Sequence, residues 1–417
     1  MNKEEKLSLN VSSEQNLPSR ESPEHEPRNH VTVGRRSFLR GLGIVGATLL
    51  PASAILMRQA KAQEQSSGRL TKGDADLLRF AAWAEIVESD LWVQYNELGG
   101  ATKPNDGAPN VGNPLYKLAL QNLDGDMPQY ISDNTDDELS HAAFLNAYLI
   151  SKGAEPVNLD RFRTLPGSRA TGVDAAKNNK RLTNLLKLNV DVSWYTRYRS
   201  EENPDFGVIF NGPPGLIMTN EPAIPRSDAD TPAGTDVTTL PFTSDAAKHI
   251  QAIADTAGFH FGFIEQGGTS LYPTLALKAS SEEVLRILLS IGGVEIDHFS
   301  LWHDKAGNAV GGATGLAPLT DPQNPNGARF PDLNAVTPAS ALELTQTNKI
   351  LPEPCDFIRT DLPPCSVIRP TSTQLGGAVA TVKVFAADGL FIGHENDGFL
   401  EFAMDLATAA DNARRQL

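Results

Sequence analysis

The sequence predicts an all-α core, a four-helix bundle with one long crossover, followed by a loop-rich C-terminal extension containing short strands and a terminal helix. Three observations carry this expectation. Four long stretches place apolar residues at helical spacing, and each apolar stripe is interrupted by a carboxylate. The order Glu followed by Glu-x-x-His then occurs twice, once in each half of the predicted core, as a two-fold internal pattern.

The first helix is expected from Asp74 to Leu98, with Leu78, Ala81, Glu85, Glu88, Trp92 and Tyr95 on one stripe. A Gly/Asn/Pro-rich loop with a short helical piece near Leu115 to Leu120 leads into a second helix from about Asn134 to Lys152. Its stripe is Glu138, His141, Leu145 and Tyr148, and Gly153 stops it. Residues 181 to 199 read as a further helix, and residues 203 to 243 hold too much Pro, Gly and Asp for regular structure. The whole of 153–244 is therefore expected to be the crossover. The third helix starts at Asp245 and runs into the Leu271-Tyr272-Pro273 region, with Phe261, Glu265, Gly268 and Tyr272 in register. The fourth begins at a Ser280-x-x-Glu283 capping box and carries Leu288, Ile291, Glu295, His298 and Trp302. Residues 74–304 thus make the bundle and 305–417 the extension, in which Ala378 to Phe385 looks strand-like and a helix from about Asp397 to Arg415 closes the chain.

Composition narrows the partners. The 417 residues carry a formal charge of −15, and removing residues 1–62, with their nine Lys/Arg against six Asp/Glu, leaves about −18. Such a balance disfavours nucleic acid and suits cation attraction. Cys355 and Cys365 lie in no CxxC or Cys/His cluster, which excludes thiolate zinc and rubredoxin-type iron; a disulfide between them is the open alternative in an oxidising compartment. Near the N-terminus, Arg35-Arg36 stand before a Gly/Ala-rich apolar stretch ending at Met57, and Ala60-Lys61-Ala62 follows as a cleavage site. Residues 1–62 resemble a twin-arginine signal peptide with a polar N-terminal extension. That implies passage through the Tat translocase in folded form, no stable membrane span after cleavage, and a periplasmic or extracellular location. The apolar stretch is about 17 residues and broken by Pro51, short of the roughly 20 a spanning helix needs.

The chemistry lies in the spacing. Residues three apart on a helix project to one side, so Glu138 with His141, and Glu295 with His298, each offer an oxygen and an imidazole to one ion. Glu85 or Glu88 from the first helix and Glu265 from the third complete one Glu from each of two helices and Glu-x-x-His from each of the other two, the ligand pattern of dinuclear iron and manganese bundles. Four inward carboxylates in an apolar core repel one another, and two divalent cations cancel them. Oxygen-rich donors suit two iron or two manganese ions better than zinc. A competing role exists for Glu138, which closes a Thr135-x-x-Glu138 capping box. His260 and His303 read as satisfied core or surface histidines, and Trp194, Tyr195 and Tyr198 as aromatic packing. The run Gly311 to Gly315 lacks the context of a phosphate loop.

Over residues 74–304 the chain resembles the bacterial ferritin-like family that includes desiccation-related and exported Tat-signal proteins. AEIVESDLW supplies that family's two glutamates three apart with an aromatic after them (Glu85, Glu88, Trp92, where Tyr is usual), EQGGTSLY its Glu and Tyr seven apart (Glu265, Tyr272), and ELSH and EIDH its paired motifs. The resemblance implies Glu85 rather than Glu88 as the first-helix ligand. Two functions follow as expectations. One is a di-iron or di-manganese oxidoreductase acting on O2 or peroxide or in metal redox chemistry. The other is a non-catalytic, stress-protective envelope protein using the same scaffold.

Overall fold

The computed structural model describes residues 68–192, 195, 217–306, 316, 318–324, 329–330, 359, 361–363 and 376–416, and these are predominantly helical with a few short strands. Residues 1–62, read above as a signal peptide, Trp194, Tyr198, the 311–315 glycine run and both cysteines lie outside the described residues.

Helix α1 spans Lys72–Gly99 and is capped by Thr71, whose side chain accepts from the Asp74 amide at 3.0 Å. Asp74 in turn accepts from the amides of Ser280 and Ser281 at 2.8 and 3.1 Å, so the start of α1 is tied to the start of a helix two hundred residues later. Helix α2 (Pro114–Leu123) has Asn113 as its cap and Pro114 at the first helical position. Helix α3 covers Met127–Ser151, α4 Asp245–Ala276 with a Ser244 cap, and α5 Glu282–Ala306.

Helix α1 packs along α3 and α4 along α5; the two pairs meet where α1 touches α4 and α3 touches α5. Between them Trp92, Tyr95, Phe261 and Trp302 are fully buried, with Trp92 stacked on Trp302 at 5.3 Å between ring centres and tilted against Phe261 at 4.9 Å. Helix α6 (Ala378–Ala387) packs on α7 (Phe399–Asn412), and α7 lies against α1. Among the described residues no helix is long and apolar enough to cross a membrane.

Several expectations are corrected. Helix α3 begins seven residues before Asn134, which puts Thr135 in its interior: the Thr135 hydroxyl donates to the carbonyl of Ile131, one turn back, at 2.6 Å. The Thr135–Glu138 capping box therefore does not exist, and the polar run from Ser132 to Asp137 is helical because Ile131, Asn134, Thr135 and Glu138 form its buried face. At α5 the capping hydroxyl is Ser281, which accepts from Val284 N at 3.2 Å, while Ser280 serves the Asp74 link.

The helix expected over 181–199 is described beyond residue 192 only at Tyr195, which is helical, and is absent over residues 181–192. There β1 (Leu188–Asp191) pairs antiparallel with β2 (Ile217–Glu221), a strand inside the segment judged irregular, and Arg181 bridges to Leu165. Conversely Ala378–Phe385 is helical. Its buried residues, Ala378, Thr381, Val382 and Phe385, follow the helical period, and the alternation of valines is incidental. Among the described residues the extension's strands are instead β3 (Leu319–Thr320) and β4 (Arg329–Phe330), and the closing helix α7 is shorter at both ends than the reading from Asp397 to Arg415.

Candidate metal centre

Glu85 and Glu88 on α1, Glu138 and His141 on α3, Glu265 on α4, and Glu295 and His298 on α5 all turn toward the space between the two helix pairs. The two Glu-x-x-His pairs bring an oxygen and an imidazole to the same side because three residues make most of one helical turn. Two groups of donors form. Glu85, Glu138, His141 and Glu295 each place one ligand atom within 4.8 Å of the others, and so do Glu138, Glu265, Glu295 and His298. Glu138 and Glu295 belong to both groups.

The distances divide in the same way. His141 Nδ1 lies 3.4 Å from Glu85 Oε2, 3.2 Å from Glu138 Oε2 and 3.5 Å from Glu295 Oε1. His298 Nδ1 lies 3.0 Å from the other oxygen of Glu138 and 3.3 Å from Glu265 Oε2. Atoms bound to one first-row ion at about 2.1 Å, and separated by tetrahedral or octahedral angles, stand about 3.0–3.5 Å apart. Glu138 therefore offers one oxygen to each position.

A surrounding layer orients these donors. Asn134 Nδ2 donates to Glu138 Oε1 at 2.9 Å and to Glu265 Oε1 at 3.1 Å, and its own carbonyl accepts from Trp302 Nε1 at 2.7 Å, which fixes which way the amide faces. The Tyr272 hydroxyl donates to Glu85 Oε1. His298 turns its Nε2 outward to Asp137 Oδ2 at 3.2 Å, leaving Nδ1 for the interior. Sequence reasoning missed Asn134 and Asp137. The signal was present: Asn134 precedes Glu138 by four and shares its face, but only with the helix start moved to Met127.

The remaining oxygens are left without hydrogen bonds. Both oxygens of Glu295, Oε2 of Glu85 and of Glu265, and Oε1 of Glu88 are buried with no hydrogen-bond partner among the described residues. Each such group costs about 1–3 kcal/mol, so a structure keeping several in one place has a use for them. Burial raises Glu85 to about 7, pushes Glu88 and Glu295 well above the usual carboxylate range, and raises Glu265. Burial would do the same to Glu138, but hydrogen bonds and charge from His141 and His298 hold it below that range. Burial would lower His141, and the opposing charge of Glu85 with the bonds to Glu138 drives it up to about 12; His298 rises for the matching reason beside Glu265. Protons on the imidazoles and on several carboxyls thus neutralise the cluster in the absence of a cation. These buried Glu/His groups could hold a metal ion.

No protein-family model, curated protein or solved structure matches this chain.

All six residues singled out from the sequence meet here. Glu85 enters one of the donor groups and Glu88, beside it, enters neither. His260 lies elsewhere, its Nδ1 2.6 Å from the Tyr95 hydroxyl and its Nε2 2.9 Å from Asp388, a satisfied core histidine as expected. Tyr195 stacks on His303 at 4.5 Å, which is packing.

Room for the centre depends on Gly268, because a Cβ there would collide with the Glu295 carboxylate. At an open helix position Gly→Ala stabilises by about 1 kcal/mol. Gly268→Ala is expected to do the opposite and to weaken Mn(II) binding about tenfold or more, by displacing Glu295. A metal titration beside a thermal melt checks it; unchanged affinity would remove Glu295 from the ligand set.

Proposed function

We propose that α1, α3, α4 and α5 form a ferritin-like four-helix bundle that holds a dinuclear iron or manganese centre and serves oxygen or peroxide redox chemistry, in a protein exported through the Tat translocase to the periplasm or cell exterior. The observation that carries the reading is the sharing of Glu138 and Glu295 by two four-donor groups, which is what two neighbouring cations with two common carboxylates require. Six donors with four carboxylates and two imidazoles suit iron or manganese.

Bound iron or manganese would supply Lewis acidity and electrons to a peroxide or O2 molecule. The chain's own residues do the rest. Glu85, Glu138, Glu265 and Glu295 balance the charge of two divalent ions without residual protons. Asn134 and Tyr272 hold three of these carboxylates in place through donated hydrogen bonds. Trp302, fully buried against Trp92 and Phe261, fixes Asn134 through its indole N–H.

Anaerobic Fe(II) or Mn(II) titration, with a Glu138→Ala/Glu295→Ala double variant as the blank, tests the proposal. A difference of about two ions per chain is expected, together with O2 or peroxide consumption that the double variant lacks. A difference below about one ion would sink the dinuclear reading. Full uptake with no consumption of either oxidant would instead favour the stress-protective scaffold.

A further inference from the structure

We infer that Glu221, His249 and Asp321 form a separate, mononuclear site for a divalent first-row cation, one that pins the crossover and the C-terminal extension to α4. The three residues come from three distant segments: Glu221 ends β2, His249 lies in the first turns of α4, and Asp321 follows β3. All three are buried, and each places a ligand atom within 4.8 Å of the others. His249 and Glu265 share α4 but stand sixteen residues apart, about 24 Å at 1.5 Å per residue, so this cluster is distinct from the Glu138–Glu295 centre.

The geometry inside the cluster is that of neighbouring ligands. His249 Nδ1 is 2.9 Å from both carboxylate oxygens of Asp321, facing the mouth of the carboxylate. That is about the separation of two donors at right angles around an ion about 2.1 Å from each. Glu221 is fully buried; its Oε2 accepts from Asn324 Nδ2 at 2.7 Å, and its Oε1 has no hydrogen-bond partner among the described residues. A carboxylate anchored at one oxygen and unpartnered at the other, beside a second carboxylate and an imidazole, leaves one donor pointing at a shared position.

Charge agrees with geometry. Asp230 also approaches, 3.4 Å from His249 Nε2, but it is already neutralised by a fork from Arg226, with Nε to Oδ2 and Nη2 to Oδ1 both at 2.8 Å. Among the described residues Glu221 and Asp321 have no such cation, apart from whatever proton His249 holds. A divalent ion with neutral His249 cancels both carboxylates and satisfies the free oxygen of Glu221 at once. The two-oxygen, one-nitrogen donor set suits Mn(II), Co(II) or Zn(II). Closing this link joins residues a hundred apart in sequence, next to the short strand pairs β1–β2 and β3–β4.

Crystals of the full chain soaked in MnCl2 should give an anomalous difference peak bounded by Glu221, His249 and Asp321. In solution, Glu221→Gln, which keeps an acceptor for Asn324, should lower Mn(II) uptake by about one ion per chain relative to wild type, and His249→Gln should do the same. The peak should persist in a Glu295→Gln chain, so its fate is independent of the dinuclear centre. No peak at these residues in wild-type crystals that carry manganese elsewhere overturns the inference, whatever the variants do. So does equal Mn(II) uptake by wild type and a folded Glu221→Gln chain, which would leave a proton as the tie between the two carboxylates.

Discussion

Glu295→Gln is expected to weaken uptake of both ions of the proposed dinuclear centre by more than about a hundredfold, whereas Glu85→Gln is expected to weaken only one. The difference follows from membership: Glu295 belongs to both donor groups and Glu85 to one. Loss of an outer partner of a ligand costs about 10–100-fold, so loss of a shared ligand should exceed that. The same substitution should leave the metal-free fold as stable as wild type, or slightly more so. Neither oxygen of Glu295 accepts a hydrogen bond, and burial among Glu138, Glu85, Glu88 and Glu265 already disfavours its charge. Were Glu295 part of a structural ion-pair network, removing it would instead cost about 3–5 kcal/mol. Calorimetric Mn(II) titration and urea unfolding of the chelator-treated protein read the two quantities separately. Wild-type affinity in Glu295→Gln, or a metal-free chain destabilised by several kcal/mol, would reject the assignment.

The second large effect is on pH. Metal-free protein should lose stability from pH 5 to pH 8, while the stabilisation conferred by metal grows over the same range. Glu85 is raised from 4.5 to about 7 in the fold, so the native state keeps a proton the unfolded chain has released; that stability is whole below about 4.5 and gone above about 7. His141, raised from 6.5 to about 12, acts in the same sense above pH 6.5. Glu138 is depressed, so its contribution is complete above 4.5 and does not change in this window. The shift at Glu85 alone corresponds to about 3 kcal/mol, or roughly 5–10 °C in melting temperature. Bound ions need every ligand deprotonated, so they compete with those protons at pH 5 and win at pH 8. Melting curves with and without Mn(II) across this range check both slopes. A metal-induced shift that shrinks with rising pH would contradict the proton–metal exchange.

The proposed ligands were legible in the sequence to different degrees. Glu295 and His298 stand on a strongly apolar stripe, and their spacing needs nothing but the helical period to be read. Glu138 was ambiguous, because the polar residues before it look like a helix start. The ambiguity ends with α3 beginning at Met127, where Asn134 and Thr135 are buried and hydrogen-bonded as interior residues. Such polar residues are poor helix formers alone, and it is their partners on α1, α4 and α5 that make the helix worthwhile there. The β1–β2 pair was invisible for a related reason: a strand's stability rests on a partner, and β2 lies about thirty residues away in a segment rich in Pro and Gly. The helix at Ala378–Ala387 was misread because a run of Val and Ala suits either period until its packing against α7 is known.

What the sequence by itself determined, then, was local: the periods of the helices, and the fact that Glu85, Glu138, His141, Glu265, Glu295 and His298 fall on their buried stripes. Periodicity is a property of one element at a time, and it found these residues with Glu88 still standing beside Glu85 as an alternative. Which carboxylates are common to two donor groups, which of Glu85 and Glu88 joins them, and that Glu221, His249 and Asp321 meet at all were decided by the tertiary structure. Those facts are distances between side chains of different segments, set by how the helices pack, and no spacing along one chain encodes them.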